Sequence, residues 1–270
     1  MKWWQCAAGS LKRESDMVHP TAIIHPKAQV GADCEIGPYC VIGEHVEIGP
    51  GCRLYSHVVI DGHTRLGLGN EIFPFASIGL RTQDLKWKGG LTRTEIGDHN
   101  TIRECVTIHS ATGDGEATVI GSHNNILASS HIGHNIVIGN HAIISMAGLA
   151  GHVLVEDFAV VGGMTGVHQF CRIGKMAIVG GCSRIAQDVA PFMLVEGNPA
   201  ETRMVNKIGL ERNGVPAEAQ AALRQAHKIL FREGLTTSNA LARIEQEVAL
   251  LAEIQYLVQF VRTSERGVIK

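Results

Sequence analysis

An aliphatic residue returns at every sixth position over most of this chain, and few folds accommodate so short a period. The series runs Val18, Ile24, Val30, Ile36, Ile42, Ile48, Leu54, Ile60, Leu66, Ile72 and Ile78. It resumes in phase at Ile96, Ile102, Ile108, Ile120, Ile126, Ile132, Ile138 and Ile144. There the count slips by one residue and continues at Leu149, Val155, Val161, Val167, Ile173, Val179 and Ile185. Six residues are too few for a helical unit but suit a short strand and a corner. Glycine often follows the aliphatic residue, as in VGADCE, IGPYCV and IGEHVE, which fits a backbone that must turn tightly. Three hexads close one coil of a triangular prism, and each coil climbs about 4.8 Å. The expected fold is therefore mainly β, a parallel β-helix. Each coil buries its apolar column only against its neighbours, at roughly 1.5–3 kcal/mol per fully buried isoleucine.

Composition agrees with a narrow core. Aromatic residues make up 5% of the chain against 31 glycines, so small branched side chains supply the apolar mass. A net charge of −2 and the lack of any basic run exclude a phosphate-tracking surface, so no nucleic acid partner is expected. No apolar run is long enough for a transmembrane segment, and MKWWQCAAGSLKRESD has no apolar stretch of signal-peptide length, which points to the cytoplasm. Residues 1–17 carry no repeat and are expected to form an extension, with Met17 a candidate start. Of the seven cysteines, Cys34, Cys40, Cys52 and Cys171 fall at the fifth place of a hexad. That position otherwise holds Ala, Val or Thr, so they are expected to pack as small apolar residues.

Two segments break the hexad chemistry while keeping its phase: residues 79–95, polar and projecting, and SATGDGEAT at 110–118. Loops thrown from a rigid scaffold are where binding residues gather. The prism is expected over residues 18–190, followed by a C-terminal helical domain over 191–270. There Pro216 opens a helix that Gly234 ends, Thr237 or Ser238 caps a second through Leu251, and QYLVQFVR forms a third. This tail is expected to cover one end of the solenoid.

Fourteen histidines are many for this length. His131 and His134 occur in SSHIGHN, His152 in LAGHV and His168 in GVHQF. His134, His152 and His168 are spaced by nearly one coil, which predicts that they rise along one side of the prism. Three imidazoles could hold zinc with one position open. Alternatively, one neutral imidazole could act as a general base while others bind a polar substrate. Spacing leaves both open.

The segments HPTAIIHP, NEIFPFASIG, TQDLKW, RECVTIH, LAGHVLVEDFAVVGGMTGVHQFCRIG and AQDVAPF resemble the UDP-N-acetylglucosamine O-acyltransferase family, which acts first in lipid A synthesis. The resemblance runs from Val18 to the C-terminus. It implies a left-handed β-helix, a homotrimer with active sites between subunits, and a 3-hydroxyacyl donor on acyl carrier protein. It implies neither cofactor nor metal. By resemblance, His134 is the general base, Gly151 supplies the oxyanion N–H, and Asp84 and Lys86 hold the glucosamine unit. His131, His152, His168 and Gln169 match further substrate-binding residues. Asn206 and Arg212 match those that contact the nucleotide and its phosphates, and Gly181 the residue that gauges acyl length.

Three features depart from the family pattern. Asn135 stands after the base where Asp is usual; it can orient the imidazole without ionic support, and Asn135→Asp is expected to raise activity or shift the pH optimum downward. The one-residue slip lies just before Gly151. Asn213 replaces a basic residue after Arg212, which implies weaker hold on UDP. Arg172, Arg184 and Lys175 fit either a docking edge for the acidic carrier or a solvated rim. Two relatives compete for the assignment: the sister N-acyltransferase, which carries an additional uridine-binding domain, and a zinc-dependent γ-type carbonic anhydrase, which shares the prism.

Overall fold

The structure, a computed structural model, describes residues 17–270. The expected N-terminal extension, Met17 apart, lies outside the described residues. From Ile23 to Ile185 the chain winds as a left-handed parallel β-helix of mostly two-residue strands on three flat faces. Face I runs from Ile23–Ile24 to Arg184–Ile185, face II from Gln29–Val30 to Arg172–Ile173, and face III from Glu35–Ile36 to the hairpin described below. The hexad aliphatics stack inward in strict register. On face I the column is Ile24, Ile42, Ile60, Ile78, Ile108, Ile132, Leu149, Val167 and Ile185. Those from Ile42 onward are buried, and the partner columns on the other faces meet them in one continuous core.

The corners follow a rule that the sequence suggested only in part. Glycine after the aliphatic residue was expected to permit the turn itself. In the structure Gly37 does not have a left-handed backbone; a Cβ there would come within 2.9 Å of the Tyr55 backbone in the next coil. Close approach between coils therefore demands that glycine. The turn is made two residues later, where eighteen described non-glycine residues, Tyr39, His99 and Asn135 among them, take positive φ. Such backbones are costly for L-residues. Stacking offsets this: Tyr39 lies on His57 and His57 on Phe75, while His99, His123, His141 and Phe158 form a second ring ladder.

Polar columns tie neighbouring coils inside the corners. Asn70 Oδ1 accepts from Asn100 N and Nδ2, Asn100 Oδ1 from Asn124 N, and Asn124 Oδ1 from Ala142 N. The four expected packing cysteines are buried, and Cys40 Sγ donates to Tyr55 O at 2.8 Å. Burial raises their thiols where a shift is resolved, to about 11 for Cys171.

The slip is a shortened corner. Residues 145–147 join strands Ile143–Ile144 and Gly148–Leu149 with one residue fewer than other corners, and Met146 turns at φ 41. Pairing survives on every face: Ile132 meets Leu149, Ile138 meets Val155 and Ile144 meets Val161. Across this point, residues in contact lie seventeen apart in sequence instead of eighteen.

After Ile185 the chain adds an antiparallel hairpin, Met193–Gly197 with Ala200–Val205, to face III. Neither this hairpin nor the short helix α1 (Lys207–Arg212) was expected from sequence. Helices α2 (Ala217–Phe231), α3 (Thr237–Glu247) and α4 (Ala252–Arg262) follow. Thr236, one residue before the expected cap, accepts from Asn239 N, and α3 stops at Glu247 short of Leu251. The tail shares a second core with the last coils through Met176, Phe192, Leu210, Leu223, Ile254 and Leu257. No helix among the described residues is long and apolar enough to cross a membrane.

Candidate active site

Both projecting loops leave the prism where face I turns into face II. Of the expected segment 79–95, residues 81–92 form the loop between strands Ser77–Leu80 and Arg93–Ile96, and loop 110–116 lies between Thr107–His109 and Ala117–Ile120. They are laced to each other. Thr82 and Thr112 share a hydroxyl hydrogen bond at 2.9 Å, Asp114 Oδ1 accepts from Leu91 N at 2.7 Å, and Gly115 N donates to Leu91 O at 2.8 Å. Beneath them opens a cleft of about 530 Å³, lined by loop residues Asp84 and Lys86, by His109, His131 and His134, and by Gly151 and Gln169.

Strand register decides which residues meet there, and the short corner changes only the count between them. Eighteen-residue spacing predicts His134 beneath His152. With one residue missing, His134, Gly151 and Gln169 form one column of the corner, and Asn135, His152 and Phe170 the next. An ideal Cβ on Gly151 would sit 2.2 Å from His134 Nε2, so only glycine leaves the imidazole its place. His134, His152 and His168 all lie at the corner from face I to face II, so they rise along one side of the prism as their spacing predicts, but in three different columns. His152 meets His134 edge to face at 5.2 Å and stacks on Phe170 at 4.6 Å. His168 lies one place earlier along the chain, exposed, with Nδ1 3.1 Å from Gln169 O. The three rings do not converge, and no group of three His, Cys, Asp or Glu among the described residues could hold a metal ion.

Hydrogen bonding settles the tautomer of His134. Asn135 Oδ1 receives the Thr112 N–H at 3.0 Å, which identifies that atom as the amide oxygen. The same oxygen lies 2.9 Å from His134 Nδ1 and can only accept, so Nδ1 carries the ring hydrogen. In the neutral ring Nε2 then presents its lone pair to the cleft, 3.8 Å from Asp84 Oδ2. Asp84 is itself fixed by a turn in which its Oδ1 accepts from Lys86 N and its N–H donates to Thr82 Oγ1. Asn135 is held from below as well, its N–H donating to Thr118 Oγ1 at 2.9 Å. Its amide nitrogen donates to Glu116 Oε2 at 2.6 Å, and this bond, with that from Gly113 N, holds the Glu116 carboxyl below the usual carboxylate range.

Around this centre, burial and then His109 push His131 below the ordinary imidazole range, and its Nδ1 lies 2.8 Å from Thr107 Oγ1. Burial and then His134 lower His152 likewise. The Gly151 N–H makes no hydrogen bond among the described residues.

Other residues singled out from sequence lie elsewhere. Asn206 is buried as the N-cap of α1, accepting from Gly209 N and donating to Met176 O. Arg212 is exposed at the far end of α1, and Asn213 closes that helix by donating to Gly209 O. Gly181 lies at the corner from face III to face I, away from His134 in the same chain. Arg172 is engaged internally, over the Phe260 ring and 3.7 Å from Glu156, which removes it from the set of free docking cations. Sequence reasoning missed Glu116, Thr112 and His109. Glu116 stood in a glycine-rich loop without period, and only the fold brings it to Asn135.

A family profile described as "Udp N-acetylglucosamine O-acyltransferase; Domain 2" matches residues 188–269, and one for bacterial transferase hexapeptide repeats matches 17–49 and 27–62. A solved structure of LpxA from Acinetobacter baumannii is similar at 43% identity and TM-score 0.90, covering 94% of this chain and all (100%) of that one. A UDP-N-acetylglucosamine O-acyltransferase (LpxA) from Moraxella catarrhalis matches at 41% identity and TM-score 0.89, with 94% and 100% covered. LpxA from Bacteroides fragilis, described as a UDP-N-acetylglucosamine acyltransferase, matches at 38% identity and TM-score 0.91 over the same shares, 94% and 100%.

Proposed function

The chain belongs to the UDP-N-acetylglucosamine O-acyltransferases, and from that premise we propose that it transfers a 3-hydroxyacyl group from acyl carrier protein to the 3-hydroxyl of UDP-N-acetylglucosamine, opening lipid A synthesis in the cytoplasm. The observation that carries this reading is the hydrogen-bonded tautomer of His134, whose free Nε2 faces a cleft roofed by Gly151 and flanked by Asp84.

In this reading His134 Nε2 takes the proton from the sugar 3-hydroxyl as its oxygen attacks the thioester carbon. The new C–O bond gives a tetrahedral intermediate, and the Gly151 N–H stabilises its oxyanion. Collapse breaks the C–S bond, and the imidazolium returns its proton to the carrier thiolate. Asp84 accepts from sugar hydroxyls and Lys86 donates nearby, which suits their position across the cleft from His134. His131 and Gln169 line the cleft, while His152 and His168 flank it. Asn206, Arg212 and Gly181 lie outside this single-chain cleft and serve the nucleotide and acyl chain in a homotrimer, where neighbouring copies complete each site.

The test is direct. Purified protein with UDP-N-acetylglucosamine and 3-hydroxyacyl carrier proteins of several lengths should form the 3-O-acyl product, and His134→Ala should abolish it. Wild-type rates in His134→Ala would overturn the general-base assignment.

A further inference from the structure

We propose that Glu116 is a positioning residue for the proton transfer, supplying through the Asn135 amide the negative charge that an Asp at position 135 would otherwise give His134. This inference rests on the reading of His134 as general base and extends it. Three hydrogen bonds on one amide carry it. Asn135 Oδ1 accepts from His134 Nδ1 at 2.9 Å and from Thr112 N at 3.0 Å, and Asn135 Nδ2 donates to Glu116 Oε2 at 2.6 Å.

The orientation is the consequential point. An isolated Asn beside a histidine can flip, offering its NH₂ to Nδ1 and selecting the wrong tautomer, with the proton on Nε2. Here flipping would turn the NH₂ against the Thr112 N–H and the carbonyl oxygen against the Glu116 carboxylate. Glu116 is in turn anchored by the Gly113 N–H at 2.8 Å. Charge follows the same route: a carboxylate drawing on Nδ2 polarises the amide, makes Oδ1 a stronger acceptor, and so favours the imidazolium that forms when Nε2 takes the substrate proton. The sequence SATGDGEAT thus contributes a carboxylate to the centre from nineteen residues before Asn135 in the chain and one coil below it in space.

The charged and titratable groups facing His134 are Asp84 and Lys86 on the first loop, His152 in the coil above, and Glu116 through Asn135; His109 and His131 line the same cleft. Of these carboxylates, Glu116 alone reaches the Nδ1 side. This changes the outlook for Asn135→Asp. That variant would set two carboxylates where amide and carboxylate now meet at 2.6 Å, so the single change does not carry the gain expected from sequence. Any added charge on Nδ1 also raises the basicity of the imidazole, which moves the acid limb of the profile up in pH, opposite to that expectation.

The experiment measures kcat, KM for UDP-N-acetylglucosamine and the pH dependence of kcat/KM in wild type, Glu116→Gln, the exchange variant Glu116→Gln with Asn135→Asp, and His134→Ala. Glutamine keeps an acceptor for Asn135 Nδ2 but removes the charge. Glu116→Gln should lower kcat about fivefold with KM unchanged, short of the 10²–10⁴ that a complete acid–base partner contributes. Its acid limb should move down by about half a pH unit, since an exposed carboxylate is partly screened. The exchange variant should recover kcat and move the limb above wild type. The proposal is overturned if Glu116→Gln matches wild type in both kcat and profile, or if its whole loss is in KM, as a loop-packing role would give. Activity retained in His134→Ala would instead remove the general-base reading.

Discussion

Replacing Gly151 with alanine tests the geometry of the site with a single methyl group. The added Cβ would lie 2.2 Å from His134 Nε2 and 2.3 Å from Cε1. Carbon contacts settle near 3.5–4.0 Å, so the ring and the corner must separate by more than about 1 Å. Gly151 is not among the residues in the left-handed backbone region, so alanine suits its main chain and stiffens the unfolded chain by about 0.4–1 kcal/mol. Losing the His134–Asn135 hydrogen bond costs about 1 kcal/mol, so the two effects nearly cancel in stability. Catalysis has no such compensation: an error of about 1 Å in a reacting group costs on the order of 10²-fold, or about 2.7 kcal/mol in the barrier. Alanine keeps the backbone N–H, so the loss would report displacement of the base and not removal of an oxyanion donor. Initial rates of acyl transfer and a thermal melt suffice. A variant with kcat/KM within about threefold of wild type would show that His134 does not act from this position.

Two further changes probe the scaffold. Asn100→Ala should destabilise the protein by about 2–3 kcal/mol in urea titration, because it leaves the Asn124 N–H without its buried acceptor; a loss under about 0.5 kcal/mol would mean the asparagine column is ornamental. His227, in α2, is held below its ordinary pKa of 6.5 by burial and then by Arg232, so the folded state keeps it neutral. The unfolded chain takes the proton first as pH falls below that value, and stability should drop there. His227→Met should remove this drop, and stability curves for the two proteins that run parallel down to pH 5 would contradict the assignment.

The prism was legible because its core obeys one period: each aliphatic residue in the face I column could be named from sequence before any contact was known. The corners were only half legible. Glycine at position 37 was read as a turn residue, whereas clearance from the Tyr55 backbone is what demands it. In the site, His134 and Asp84 were reached by resemblance, and period alone could not separate a zinc set from a base. Glu116 was out of reach because hydrogen bonding to Asn135 depends on how two irregular loops fold against each other. The hairpin and α1 escaped for a related reason: the hairpin gains its stability from pairing with Ile178–Val179, a contact no local pattern records.

The missing residue at 145–147 also has a genetic reading. Along the solenoid, a three-nucleotide deletion confined to a corner shortens the link while each strand keeps its partner and each column its members. His134 and Gly151 each lie two residues after a paired core residue, Ile132 and Leu149, so their meeting is set by the strands and not by the length of the corner. Corners can therefore differ in length by whole codons without disturbing the core or the columns that build the site. Putting one residue back into this corner should restore the eighteen-residue spacing while Gly151 stays over His134.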